Sequence, residues 1–254
     1  MSTATHRCHD YPHLVRRWRR LAKGTGIEFK SFVKAAGFDV FFVRTPGLTP
    51  TSGVYISAGI HGDEPASSEG LITWAEAHAS ELKDLPLFLF PCLNPHGLTL
   101  NTRANEAGID LNRSFHRDDV PVIAALREIL RPHRFTLSLN LHEDYDGQGI
   151  YLYEVQREKP YWGEALIKAG AQHLPVDQRY RIDISTSRNG VIRRRFNSAR
   201  YKKLGGLPEA VYLQTNHARR AVTVETPSEF DLTSRVAAIG AVVTESLRLA
   251  TSAR

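Results

Sequence analysis

Four short apolar runs, separated by segments with helical character, constrain the fold of this sequence more than any other feature. They are VYISAGI (54–60), LFLFP (87–91), FTLSLNL (135–141) and AVTVE (221–225). Short apolar runs that end at turn-forming or charged residues are typical of buried β-strands. Strands that alternate with helices predict an α/β fold, with a mixed, mostly parallel central sheet flanked by helices.

The rest of the sequence supports the same architecture. Pro65 opens a helix, since proline is well tolerated in a first helical turn, and we expect that helix to continue to about Lys83. Further helices are predicted at 11–21, 120–130, 161–173 and 233–249, further strands at 27–32 and 39–44, and a polar, turn-rich segment at 94–118. No repeat or linker-like change in composition divides the chain, so we expect one domain over residues 1–254.

Composition narrows the class of protein. The chain has 254 residues, 42% of them hydrophobic, which is enough for a sizeable core. No apolar run approaches the roughly 18 residues of a membrane span, and the charged N-terminus lacks the apolar segment of a signal peptide. We expect Cys92 to be a buried free thiol, which fits a reducing compartment. The sequence therefore predicts a soluble, cytoplasmic protein with no membrane partner.

The turn after the first apolar run carries a candidate metal site. HGDEP places His61 and Glu64 three residues apart, and zinc accepts imidazole nitrogen and carboxylate oxygen as ligands. The same spacing recurs at His78 and Glu81, inside the predicted 65–83 helix, where a contact on the helix surface explains it. His61 and Glu64 instead follow a buried strand, and ligands bind at the carboxyl ends of parallel strands. We therefore predict that His61 and Glu64 bind a metal ion.

Two further strand ends carry candidates for the same site. His142 could be a core or capping histidine, but Glu143 and Asp144 follow it, and so many acids at a strand end require compensation by a cation or by solvent. Glu225 could turn outward into a loop, yet a glutamate that closes an apolar run is costly to bury unless it has a partner or a catalytic role. Beside a metal-bound water, Glu225 could act as general base and then as general acid to a leaving amine.

The ordered motifs HGDEP, NTRANEAGIDLNRSF, LHED and VETP resemble those of the zinc metallocarboxypeptidases of the carboxypeptidase A type. The sequence looks most like the short bacterial members, which include murein-peptide amidases and relatives of the succinylglutamate desuccinylase/aspartoacylase group. The resemblance extends from about Val54 to Pro227. It implies a carboxypeptidase-like fold and a zinc-dependent hydrolase that cleaves a peptide or amide bond next to a free carboxylate.

The resemblance also implies how the residues of these motifs divide the work around the metal. His61, Glu64 and His142 would bind one Zn²⁺ per chain. Asp110, in GIDLNR, would orient the His61 ring, because a carboxylate behind a ligating imidazole fixes its tautomer. Glu225 would be the catalytic glutamate.

Substrate-binding roles follow from the resemblance in the same way. Arg103 would polarise the scissile carbonyl and stabilise its oxyanion. Asn112 and Arg113 would hold the carboxylate of the substrate, for which a guanidinium is a natural bidentate receptor. The sequence departs from the family pattern at the mobile tyrosine that covers the substrate, for which Tyr201 and Tyr212 are both candidates.

Two other functions compete with a carboxypeptidase or peptide amidase. The same chemistry would serve an N-acyl amino acid deacylase of the desuccinylase/aspartoacylase type. The net charge of +6, much of it in VIRRRFNSARYKK (191–203), could instead mark a nucleic-acid-binding module, a positive rim that attracts acidic substrates, or a solvated loop. The run has only Phe196 and Tyr201 as stacking residues and leaves the acids of the metal motifs unexplained, so it argues against nucleic acid as the partner.

Overall fold

A computed structural model describes residues 7–156, 159–194 and 205–252. Within these ranges the helices are α1 (Tyr11–Thr25), α2 (Pro65–Ala77), α3 (Pro95–Leu100), α4 (Pro121–Leu130), α5 (Gly163–Gly170), α6 (Glu209–Asn216) and α7 (Leu232–Ser252). The strands are β1 (Glu28–Ala35), β2 (Phe38–Arg44), β3 (Val54–Ser57), β4 (Leu87–Phe90), β5 (Phe135–Asp144), β6 (Tyr151–Gln156), β7 (Arg181–Ile182), β8 (Ser185–Thr186), β9 (Val191–Arg193) and β10 (Ala218–Pro227). Short 3-10 turns lie at Leu82–Asp84 and Leu111–Arg113.

Eight of the described strands form one sheet, in the order β1-β2-β4-β3-β5-β10-β6-β9. The four central strands β4, β3, β5 and β10 are parallel. Strands β1 and β2 join antiparallel at one side, and β6 joins antiparallel to β10 at the other, with β9 parallel to β6. The predicted α/β class, with a mixed, mostly parallel sheet flanked by helices, is confirmed.

Helices cover both faces of this sheet. Helices α1, α2, α5 and α7 pack on one face, around a core that includes Trp18, Leu71 and Val242. Helices α4 and α6 pack on the other face, around Phe90 and Ile123. Because both faces are covered, strands β3 and β4 are buried along their whole length, and all their residues except Ser57 are apolar or aromatic. None of the described helices is both long enough and apolar enough to cross a membrane.

The ends of α1 and the start of α2 follow from local chemistry. The Asp10 side chain accepts a hydrogen bond of 2.8 Å from the His13 backbone N–H, which satisfies a donor that the first turn of α1 leaves free. Gly26 ends α1 with a φ of 73°, a left-handed conformation that glycine adopts without a steric penalty. Pro65 begins α2, directly after Glu64, and so fixes where the first turn of that helix starts.

Several predicted boundaries are wrong. Helix α2 ends at Ala77, with the ring of His78 hydrogen-bonded to the Trp74 carbonyl at 2.8 Å, so His78 and Glu81 lie beyond the helix rather than on its surface. The helix predicted at 161–173 covers only Gly163–Gly170. Strand β6 was missed because a charged residue, Glu154, interrupts its apolar pattern; α6, β9 and the β7–β8 ribbon were also missed. Cys92 is buried and free, as expected.

Candidate metal centre and active site

The candidate site lies where three adjacent strands end. His61 follows β3, His142 lies near the end of β5, and Glu225 lies near the end of β10. Strand β5 is paired with both β3 and β10, and the register places Glu225 directly opposite His142. Parallel pairing therefore brings together side chains that are far apart in the sequence, at the edge of the sheet where ligands bind in α/β proteins.

His61, Glu64 and His142 form a compact, buried cluster. The Nδ1 atoms of His61 and His142 lie 2.6 and 2.8 Å from the two carboxylate oxygens of Glu64. The two imidazole centroids are 5.0 Å apart. One ligand atom from each residue lies within 4.8 Å of the others, so a single ion could contact all three. The structure thus places the three predicted metal ligands together.

The backbone around HGDEP explains how His61 and Glu64 reach this position. A Cβ atom at Gly62 would lie 1.9 Å from the Gly97 carbonyl carbon, so only glycine allows the turn to pack this closely on α3. The Thr102 carbonyl accepts a hydrogen bond of 3.0 Å from the Gly62 N–H, which fixes the turn on the other side. Glu64 then occupies the capping position of α2, where its side chain faces both imidazoles.

Asp110 lies behind His61, on the side away from Glu64. Its Oδ1 is 3.1 Å from His61 Nε2 and also accepts a hydrogen bond of 2.8 Å from the Asn112 backbone N–H. Its Oδ2 accepts from Nε and Nη2 of Arg103 at 3.2 and 3.0 Å. A proton held on Nε2 by Asp110 leaves the Nδ1 lone pair of His61 for a metal ion.

The charges within the cluster favour a bound cation. Burial by itself would lower the pKa of His61, but the Glu64 carboxylate, together with hydrogen bonds to Asp110 and Glu64, raises it to about 9. Burial would raise the pKa of Glu64, but the two imidazoles hold it well below its usual range. Two imidazoles and one carboxylate are also the donor set of several catalytic zinc sites. The residues present therefore fit a divalent metal ion.

Glu225 lies beside this cluster in the same pocket. Burial raises its pKa to about 8; the charge of His142 opposes this shift, and the charges of Glu64 and Asp144 reinforce it. A carboxyl group whose pKa lies near neutrality can both accept and return a proton at physiological pH. Its position beside the cluster and its raised pKa make Glu225 a candidate general acid–base residue.

Glu143 and Asp144 have partners other than a metal ion. Glu143 pairs with Arg235 of α7 and accepts a hydrogen bond of 2.7 Å from the Ala66 N–H. Asp144 accepts a hydrogen bond of 2.9 Å from the Tyr151 hydroxyl. The expected compensation by a cation is thus met for Glu143 by Arg235 rather than by a metal ion, and Asp144 has a hydrogen-bond donor in Tyr151.

A pocket of about 420 Å³ opens above the cluster and is lined by Arg103, Asn112 and Arg113, among others. The half-exposed Arg103 places Nη1 3.6 Å from Glu64 Oε1. Asn112 Oδ1 accepts a hydrogen bond of 2.9 Å from the Glu209 N–H, which leaves the amide NH₂ of Asn112 as the group able to donate to a ligand. The pocket therefore has positive and donor groups on one side of the metal cluster.

Comparison with known sequences agrees with this geometry. A profile of the succinylglutamate desuccinylase/aspartoacylase catalytic domain matches residues 50–173. Murein peptide amidase A of Escherichia coli K12 is 37% identical over 79 residues, which cover 31% of each chain. Mouse carboxypeptidase D is 30% identical over 145 residues, which cover 42% of this chain and 10% of the mouse protein. The chain thus spans less than a third of the length of these two relatives.

Solved structures show the same fold. A candidate metallopeptidase from Shewanella amazonensis superimposes with a TM-score of 0.83 at 22% identity, over 95% of this chain and 94% of that one. A metallo-carboxypeptidase from Burkholderia cenocepacia superimposes with a TM-score of 0.70 at 16% identity, over 96% and 69% of the two chains. The chain resembles carboxypeptidases and a peptide amidase in sequence, and metallocarboxypeptidases in fold. The predicted resemblance and the carboxypeptidase-like fold are confirmed.

The far part of this pocket contains Tyr151, Tyr153 and Asp183, which the sequence did not predict, and Arg194, which belongs to the basic run considered as a positive rim. They lie on β6, in the β7–β8 ribbon and directly after β9, and these elements have weak sequence patterns. For β6, the available sequence signal was the pair of aromatic residues two positions apart in YLYEVQ, a spacing that places both on one face of a strand.

Of the two candidates for the mobile tyrosine, the structure describes Tyr212, which does not line this pocket. Tyr201 lies outside the described residues, as does most of the basic run, 195–203. Tyr212 packs against Phe115, with the ring centroids 5.4 Å apart, and lines a different cavity, with its hydroxyl 3.3 Å from His217 Nε2. Of the basic run, Arg193 already pairs with Glu154 and Glu164.

Proposed function

We propose that this chain is a zinc-dependent hydrolase that cleaves a peptide or amide bond next to a free carboxylate. The observation that carries the proposal is the convergence of His61, Glu64 and His142 in a buried cluster beside Glu225. A bound zinc ion would lower the pKa of a water molecule to about 7 and polarise the scissile carbonyl. Protein side chains would transfer the proton, orient His61 and bind the substrate.

Glu225 would move the proton. It would accept the proton of the attacking water and then donate it to the leaving amine. Its raised pKa, about 8, supports both steps, because the carboxylate is basic enough to take the proton and acidic enough to release it near neutral pH. Asp110 would keep His61 in the tautomer that binds the metal through Nδ1.

Arg103, Asn112 and Arg113 would bind the substrate. The Arg103 guanidinium, held by Asp110 near the metal cluster, would donate to the carbonyl oxygen as negative charge develops on it. Asn112 and Arg113, which also line the pocket, would hold the free carboxylate and so select the bond to be cleaved.

A second candidate function is deacylation of an N-acyl amino acid. The match of residues 50–173 to the desuccinylase/aspartoacylase profile favours it. The chemistry would be the same, with the carboxylate clamp holding a smaller substrate. Purified, zinc-loaded protein assayed on γ-glutamyl peptides and on N-acetyl and N-succinyl amino acids would separate the two by substrate length.

Metal analysis tests the centre itself. We expect about one zinc per chain in the wild type, as in sites with three protein ligands, and much less in His142→Ala. His78→Ala is a matched control, because His78 lies outside the cluster and its ring nitrogen lies 2.8 Å from the Trp74 carbonyl. Equal zinc content in the wild type and His142→Ala would remove His142 from the site.

A further inference from the structure

The residues just before and at the start of α6 lie against the proposed carboxylate clamp, Asn112 and Arg113. The Arg113 carbonyl accepts a hydrogen bond of 2.9 Å from the Leu207 N–H. The Leu207 carbonyl in turn accepts a hydrogen bond of 3.1 Å from the Phe115 N–H. The loop that carries the clamp is therefore held, on this side, by the backbone of residues 207–209.

The Glu209 backbone decides which end of the Asn112 amide faces the pocket. An asparagine amide has an acceptor end and a donor end, and its neighbours determine how it is oriented. The Glu209 N–H donates a hydrogen bond of 2.9 Å to Asn112 Oδ1. Because a backbone N–H can only donate, it selects the orientation that leaves the NH₂ group of Asn112 for a ligand in the pocket. In the opposite orientation, two donors would meet and an oxygen would face the carboxylate of the substrate.

The Glu209 side chain anchors this N–H to the middle of the sheet. Glu209 is the first residue of α6 and is fully buried. Its Oε1 accepts a hydrogen bond of 2.5 Å from the hydroxyl of Tyr55, which lies on the central strand β3 and is also fully buried. The Tyr55 ring packs against Phe90 and Phe135, with centroids 5.1 and 5.6 Å apart. The start of α6 is thus tied to a side chain that the core itself holds in place.

The surroundings of Glu209 suit a neutral carboxyl group. Glu209 Oε2 and Asn140 Oδ1 are both buried, and neither has a donor within the residues that the structure describes. Burial raises the pKa of Glu209, and its neighbours Tyr55, Ser57 and Asn140 oppose this shift only in part. A protonated carboxyl supplies a donor where these oxygens have none. Glutamine, which is neutral and has the same shape, should therefore replace Glu209 with little effect.

We infer that Glu209 is a positioning residue for recognition of the free carboxylate of the substrate. Its side chain, held by Tyr55, fixes the start of α6, and its N–H sets the Asn112 amide so that the NH₂ group donates to the carboxylate. Glu209 does not line the pocket and so acts through Asn112. This inference rests on the proposed function, because it assumes that Asn112 and Arg113 hold that carboxylate.

The test compares a substrate that ends in a free carboxylate with its carboxamide. The fastest substrate among the γ-glutamyl peptides and N-acyl amino acids would be assayed in both forms with zinc-loaded enzyme. The wild type should prefer the carboxylate by about ten- to a hundredfold in kcat/KM, as for hydrogen bonds to a charged group. Glu209→Leu should reduce this ratio about tenfold, chiefly through KM and at wild-type zinc content, because one such bond loses its geometry. Glu209→Gln should keep the ratio.

Two further variants separate positioning from a general effect on the fold. Tyr55→Phe removes only the hydroxyl that holds Glu209, so the ratio should fall in the same direction but by less, and this variant carries the test if Glu209→Leu does not fold. Gln214→Leu is the matched control, because Gln214 is a buried polar residue of the same helix that lines a different cavity. An unchanged ratio in both Glu209→Leu and Tyr55→Phe would overturn the inference, as would an equal loss in Gln214→Leu or in Glu209→Gln.

The side-chain amide of Asn112 provides a second readout that does not depend on turnover. Its ¹⁵N–¹H signals, assigned by their loss in Asn112→Asp, should form one set in the wild type and in Glu209→Gln. A second set, from the reversed amide, should appear in Glu209→Leu and Tyr55→Phe. If the wild type cleaves no substrate, or cleaves both forms equally, the proposed function or its carboxylate clamp fails, and these spectra still decide the role of Glu209. If the wild type prefers the carboxylate but all variants show one set of signals, the positioning role alone fails.

Discussion

The two ends of the pocket are built in different ways. At the metal end, His61, Glu64 and His142 are between 2% and 5% exposed, and each is fixed by neighbours on other parts of the fold. At the far end, the Arg194 and Asp183 side chains are 29% and 66% exposed and lie on short, irregular elements. Chemistry on a bond requires groups that are already in position and shielded from water, whereas recognition of a charged side chain tolerates a more open surface. Changes at the metal end should therefore have much larger effects than changes at the far end.

The largest effect on turnover should come from Glu225→Gln. The amide keeps the shape of the side chain but cannot accept a proton, so we expect kcat to fall by about 10²–10⁴-fold, the range for loss of a general acid–base group. Zinc content should stay at the wild-type value, because Glu225 is not among the three clustered ligands. Glu229→Gln, a change at an exposed position on the following turn, is the control. A fully active Glu225→Gln enzyme would show that another group moves the proton.

Arg103→Met should have the next largest effect. Loss of one donor at a developing oxyanion typically lowers kcat by about 10²–10³-fold. Arg103 also bonds to Asp110, so a structural effect through Asp110 and His61 must be separated from a catalytic one. Zinc titration does this: unchanged zinc affinity with a reduced kcat indicates the catalytic role. A loss of zinc affinity as large as the loss of kcat would instead assign Arg103 to positioning of the metal end.

The same contrast between the two ends decides what the sequence could predict. His61 and Glu64 follow β3, whose residues are all buried and whose largely apolar sequence is therefore recognisable as a strand. Few residue types can bind a metal ion, so a histidine and a glutamate at this place were identifiable as ligands. Glu225 was identifiable because a carboxylate at the end of an apolar strand is energetically unusual. The strands that bring these side chains together, β3, β5 and β10, were all predicted from the sequence.

The far end was not predictable for the opposite reasons. Strand β6, which carries Tyr153, contains the buried Glu154, whose carboxylate accepts bonds of 2.6 and 3.0 Å from the N–H groups of Trp162 and Gly163 at the start of α5. Such a tertiary contact leaves no periodic signal. Asp183 and Arg194 flank strands of two or three residues, too short to show alternation. The sequence identified Arg194 only as part of a basic run with several possible roles, and the fold is needed to place it beside the pocket.

A smaller effect, on metal binding, is expected for Asp110→Asn. The amide can present an N–H to His61 Nε2 and so no longer selects the tautomer whose Nδ1 is free for the metal ion. Loss of such a partner typically lowers metal affinity or activity by about 10–100-fold. Competition with a zinc-binding dye would measure the change, with Asp118→Asn, at an exposed position in the same segment, as the control. Unchanged zinc affinity would show that the metal end does not depend on this contact.

The smallest effect should come from Asp183→Asn at the far end. Asp183 lies 3.9 Å from Arg194 and is largely exposed, so its interaction with a nearby charge is worth at most about 1 kcal/mol. Removing its negative charge should change the ratio of kcat/KM between an acidic and a neutral substrate, such as N-acyl-glutamate and N-acyl-glutamine, by no more than about fivefold. The kcat on either substrate should change little, since the side chain of Asp183 contacts Tyr153 and Arg194 rather than the metal cluster. A fall of a hundredfold or more in kcat would mean that the far end is as tightly coupled to the chemistry as the metal end, and the division between the two would be wrong.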